Sequence, residues 1–185
     1  MILDKYLKGK ILVVIDAANL ESAIQSLNFW IDYVKLRDLF DKDRLVEIRD
    51  YCVKHNTDNQ NQFFAFLKKN GYKLITKPLK IIKAPEIETG DIRKANFDVE
   101  IAVDVLEMIN KFDTLVLFSG DSDFDYLVRK LRAKGKKVLV ISTKHHISKE
   151  LIESGNKYID IKKLRNLIER KNKKARLFQR AIDNG

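Results

Sequence analysis

The chain has 185 residues, 45% of them hydrophobic, which suits one domain with a real core and leaves little room for two. Its 36 Lys and Arg outnumber 26 Asp and Glu, for a formal net charge of +10, pointing to a polyanionic partner and most often to nucleic acid. The single cysteine, Cys52, excludes an intramolecular disulfide and a Cys-rich zinc site and fits a reducing compartment.

In chain order, the first element is ILVVI (11–15), a short β-branched run ending in Asp16. It is far below the roughly 20 apolar residues of a membrane span, so a cytoplasmic protein with no signal peptide and no membrane segment is expected. Helical spacing follows over 20–28 and 34–40, then a strand at 44–53, a helix at 59–69 stopped by Asn70-Gly71, and a strand at 72–82. Residues 83–96, KAPEIETGDIRKAN, read as one long irregular stretch, a candidate substrate or lid segment. A helix over 96–110, a strand at 114–119, a helix at 123–134, a strand at 137–142 and a helix at 147–154 complete the pattern.

Strand and helix alternate through most of the chain. That predicts an α/β fold, a Rossmann-like three-layer α/β/α sandwich on a mainly parallel sheet of five or six strands. From Ile161 to Arg180 the pattern becomes a basic helix, with Ile161, Leu164, Leu167 and Ile168 on one face. Nine Lys or Arg stand against the single Glu169 between 162 and 180, which suits either a solvated face or a phosphate-backbone contact. The expected division is a domain over 1–160 and a basic helix and tail over 161–185.

Sites in parallel α/β sheets form at the carboxyl ends of strands, and two strands here end in Asp. VVIDAANL puts Asp16 at a strand tip with Asn19 three residues on. VLFSGDSDFD puts Asp121 and Asp123 just past the strand that ends at Ser119. Asp121 or Asp123 alone could be a helix N-cap, and Asp16 alone the tip acid of a receiver, phosphatase or nucleotide-binding sheet. Asp98 adds a third element, at the amino end of the helix whose buried stripe is Ile101, Val105, Met108 and Ile109. Asp104 lies about 240° round that helix and cannot aim at the same point.

Four converging carboxylates make six pairs, each costing about 3 kcal/mol at 5 Å and an effective dielectric near 20. A hard cation, Mg²⁺ or Mn²⁺, would relieve that, since neither Cys nor His falls in these segments. Such an ion beneath a basic surface suits phosphodiester chemistry. Asp121-Ser122-Asp123 also has the DxD form with which nucleotide-sugar transferases hold Mn²⁺, a reading that leaves Asp16 and Asp98 without a role.

VVIDAANL, KANFDVEIAVD and VLFSGDSDFDYLVRKLRAKGKKVLVIS together resemble the NYN domain proteins, a branch of the PIN-like metal-dependent nucleases. The resemblance implies a Mg²⁺ or Mn²⁺ site that hydrolyses RNA phosphodiesters, with Asp16, Asp98, Asp121 and Asp123 as metal-binding and catalytic acids. It implies substrate contacts from Asn19, Ser119 and Lys94, the residue that opens KANFD, and it leaves Asp104 and Asp125 as lesser candidates. RNA is the expected partner. An RNA-binding adaptor of the same fold with little or no activity is the competing expectation, and a homodimer is one assembly left open.

Overall fold

In a computed structural model the described residues are 3–55, 57–82, 92–94 and 96–171, with the backbone alone for 80–82 and 92–94. The main strands are β1 (Ile11–Asp16), β2 (Leu45–Lys54), β3 (Tyr72–Pro78), β6 (Thr114–Phe118), β7 (Lys137–Ser142) and β8 (Lys157–Asp160). They form one sheet in the order β3-β2-β1-β6-β7-β8, with every pairing parallel. The α/β class and the parallel sheet are as the alternating pattern predicts.

Two cores follow from the two-residue period of the strands. Ile11, Val13 and Ile15 point to the layer of helices α1 (Ala17–Gln25), α2 (Tyr33–Arg37) and α3 (Asp58–Lys69). Leu12 and Val14 point to the layer of α4 (Asp98–Glu107), α5 (Asp125–Ala133) and α6 (Lys149–Ser154). Both faces of β1 are therefore dry, which explains its unbroken apolar run.

Three elements differ from expectation. The run 72–82 is not one strand: it divides into β3 and a short β4 (Lys80–Ile82), which pairs antiparallel with β5 (Ile92–Lys94). The stretch 83–96 therefore contains a strand, and its residues 83–91 and 95 lie outside the described ones. The edge strand β8 has no counterpart in the predicted elements, because KYID holds only Tyr158 and Ile159 as apolar residues. After Asp160 comes a 3-10 turn, Ile161–Leu164, and a short helix, α7 (Arg165–Ile168). The predicted helix is broken at Glu169, which is extended and bridges to Ile31, and the Arg170 amide donates to the Trp30 carbonyl at 2.9 Å; residues 172–180 of that predicted helix lie outside the described ones. Ile161, Leu164 and Ile168 are fully buried in the α1/α2/α3 core, while Leu167 faces solvent.

Candidate metal centre

Chain order in the sheet runs outward from β1 on one side and from β6 on the other, so β1 and β6 flank the point where the connection changes direction. At such a point the two following loops separate and leave a crevice at the carboxyl ends of the strands. Asp16 ends β1 and Ser119-Gly120-Asp121 follow β6, so the topology itself brings the two acidic segments together.

Each acid has a local reason to be where it is. Asp16 caps α1, its Oδ1 accepting the Asn19 amide at 3.3 Å. Asp121 caps the 3-10 turn Ser122–Phe124, its Oδ1 accepting the Asp123 amide at 3.0 Å. Asp98 is the first residue of α4, where the positive end of the helix dipole favours a carboxylate. Capping and convergence coexist here, because a carboxylate that accepts an amide still has lone pairs left over.

One carboxylate oxygen from each of Asp98, Asp121 and Asp123 lies within 4.8 Å of the others. Asp16 lines the same cleft, of about 270 Å³, with Asn19, Ser22, Asn96, Asp98 and Asp121. Burial and the carboxylates of Asp121, Asp16 and Asp123 push Asp98 up to about 6. Asp16 is also raised, chiefly by burial, with Asp121 adding to it. Behind the acids, the buried Ser119 hydroxyl donates to Asp16 Oδ2 and accepts the Asp121 amide, both at 3.2 Å. Asn19 Oδ1 accepts the Gly120 amide at 2.8 Å. Asn19 and Ser119 thus tie the β1 and β6 ends to each other.

The NYN domain family model matches residues 10–165.

The chain belongs to the NYN domain family.

It is 30% identical over 165 residues to the low amplitude and bright protein LabA of Synechococcus elongatus, covering 88% of this chain and 89% of LabA. It is 38% identical over 69 residues to the uncharacterized protein MJ0482 of Methanocaldococcus jannaschii, covering 36% of this chain and 27% of that protein. The crystal structure of VPA0982, a protein of unknown function from Vibrio parahaemolyticus, superposes with a TM-score of 0.70 at 26% identity. That match spans 83% of this chain and 93% of the other.

The NYN donor set in this chain fits a hard divalent ion: oxygen ligands only, three of them mutually close, and a carboxyl that burial and its acidic neighbours raise to about 6. The lesser candidates sit elsewhere. Asp104 accepts from Tyr51 Oη at 2.8 Å and pairs with Arg49 at 2.8 Å, on the α4 face towards β2. Asp125 pairs with Arg129 one turn on, and that guanidinium lowers its titration. Lys94 is in β5, and its side chain lies outside the described residues.

Two neighbours of the site, and one buried acid that does not line its cleft, escaped the sequence reading. Asn96 donates its side-chain amide to Asp98 Oδ2. Lys77, on β3, donates to the Asn96 carbonyl at 2.9 Å, pairs with Glu100 and sits 5.0 Å from the Phe97 ring centroid, pinning the entry to α4. Asn96 is two residues from Asp98 and adjacency could have flagged it, whereas nothing local connects Lys77 to residues about twenty positions on. Asp50 is the third. It is 2% exposed with Oδ1 unpartnered, and burial, with Glu21 and Asp16 adding to it, pushes it up to about 8.

Proposed function

We propose that this protein is a metal-dependent ribonuclease acting in a reducing cytoplasm, with Asp98, Asp121 and Asp123 as ligands of Mg²⁺ or Mn²⁺ and Asp16 beside them. The observation that carries the reading is the convergence of three carboxylate oxygens within 4.8 Å at the sheet's switch point. Bound there, the ion would draw charge from a phosphodiester and lower the pKa of a coordinated water.

The chain's own residues supply position and access. Ser119 and Asn19 fix the two strand ends so that Asp16 and Asp121 share one cleft. Lys77 and Asn96 hold Asp98 at its mouth. Burial is graded, from the half-buried Asp16, Asp98 and Asp121 to the exposed Asp123, which leaves Asp123 on the side from which a polyanion arrives. No helix among the described residues is long and apolar enough to cross a membrane.

The test is cleavage of labelled single-stranded and structured RNAs with Mg²⁺, Mn²⁺ or EDTA. Asp16→Asn, Asp98→Asn and Asp121→Asn are expected to lose at least about a hundredfold in rate, the scale of a lost charge-stabilising group. Asp125→Asn should keep full activity. Cleavage indifferent to EDTA and to these substitutions removes the metal mechanism, and salt-dependent RNA binding without cleavage under any metal assigns an adaptor instead.

A further inference from the structure

The chain's excess positive charge has a focus at the end of the sheet opposite the acids. The amino-terminal segment before β1 lies against the start of β7 and β8. Together they enclose a cleft of about 190 Å³ whose lining includes Lys5, Tyr6, Lys8, Lys137, Asn156 and Lys157. No acidic side chain lines it among the described residues.

The lysines are ordered there. Lys5 Nζ is 4.9 Å and Lys157 Nζ 5.5 Å from the Tyr6 ring centroid, so one half-buried aromatic ring collects two ammonium groups from opposite ends of the chain. Both ammoniums also lower the titration of the Tyr6 hydroxyl, Lys5 most, as the same geometry requires. Asn156 is fixed by its Oδ1, which accepts the Val138 amide at 2.8 Å, and by its backbone N–H, which donates to the Val138 carbonyl at 2.9 Å. Like charges gathered around a recess repel one another, and an anion in the recess reverses that.

We propose that this lysine-lined cleft is a second phosphate site, which holds the backbone of an RNA strand at a distance from the carboxylate centre. Only the identity of the polyanion rests on the ribonuclease reading; the anion site rests on the lysines and Tyr6. A phosphodiester suits it better than a membrane surface. Membrane-seated basic surfaces carry apolar groups to insert. The exposed large hydrophobics here, Phe66, Val99, Val103, Leu106, Tyr126, Ile152 and Leu167, do not line this cleft. The six residues of β7 separate the two ends of the sheet by about 20 Å. A tetranucleotide therefore engages one site at a time, and a long strand engages both.

The experiment compares the full chain with a Lys5→Gln/Lys157→Gln double variant, by fluorescence anisotropy in EDTA, on a long single-stranded RNA homopolymer over a range of salt. The variant is expected to bind about five- to twentyfold more weakly at low salt. Its log–log salt slope should fall by about 1.4, the release expected for two phosphate contacts on a single strand. Tetranucleotide binding should weaken as well, because in EDTA the metal-free carboxylates repel a phosphate and leave the lysine cleft as its seat. Equal affinity and slope for the long RNA overturn the proposal. So does tight capture of a nucleoside monophosphate, or of anionic vesicles, by the same lysines while long-RNA affinity ignores the substitution. Because binding is read without metal, a protein that never cleaves RNA leaves this test intact.

Discussion

Replacing Asp98 by Asn should stabilise the metal-free protein while weakening its response to metal. The Asp98 carboxyl sits at about 6 against 3.8 for a free Asp, so the fold holds its proton more tightly than the unfolded chain does. The sign follows from linkage. Asp98's contribution to stability is fully present below about pH 4, declines as pH rises, and is lost above about pH 6. The full shift would correspond to about 3 kcal/mol, but the carboxyl is only half-buried. Solvent screening and the favourable field at the start of α4 leave about 1 kcal/mol. For a chain of this size that is a rise of about 2 to 4 °C in Tm for Asp98→Asn at pH 8 in EDTA, vanishing by pH 4. Metal should act the other way. At about a hundred times its Kd it adds about 2.7 kcal/mol to the wild type and much less to the variant. Differential scanning fluorimetry across pH 4–8, with EDTA, Mg²⁺ and Mn²⁺, reads both effects. A variant less stable than wild type at pH 8 in EDTA, or equally stabilised by metal, refutes the claim that Asp98 shares a crowded metal centre with Asp121 and Asp123.

Asp50→Asn should also stabilise, for a reason unconnected with metal. The buried Asp50, raised to about 8, makes the wild type lose up to about 1.4 kcal/mol per pH unit relative to the variant between pH 5 and 7; chemical denaturation curves that stay parallel over that range would contradict this. Gly120→Ala should cost about 1 to 3 kcal/mol and blunt the thermal response to metal, because a Cβ there would meet the His146 carbonyl oxygen at 1.8 Å and force apart the loop that carries Asp121. An Ala variant with wild-type Tm and metal response would show that the loop yields freely.

The parts of the fold legible in the sequence are those whose environment is uniform along the element. β1, β6 and β7 are dry on both faces, so ILVVI, TLVLF and KVLVIS are unbroken apolar runs with little else to mean. β8 has one neighbour and a half-exposed face, so its four residues need only one buried side chain, Ile159, and leave almost no signature. The segment after Asp160 misleads for the converse reason. Ile161, Leu164 and Ile168 have helical spacing and are buried. What ends the helix is a long-range bridge from Glu169 to Ile31, which no local pattern encodes.

The same contrast governs the site. Asp16, Asp98 and Asp121 could be named because each sits at an element boundary whose position is readable, and boundaries at one end of a parallel sheet are brought together by topology alone. Asp98 and Asp104 show how far one helix carries that logic. Six residues of α4 turn Asp104 away from the crevice and towards β2, where Arg49 and Tyr51 take its charge. The two acids of one helix thus meet opposite electrostatics: Asp104 is neutralised by a guanidinium inside the protein, and Asp98 is set among carboxylates that no described cation offsets. That asymmetry is the physical ground for proposing an external cation at Asp98, Asp121 and Asp123 rather than at Asp104.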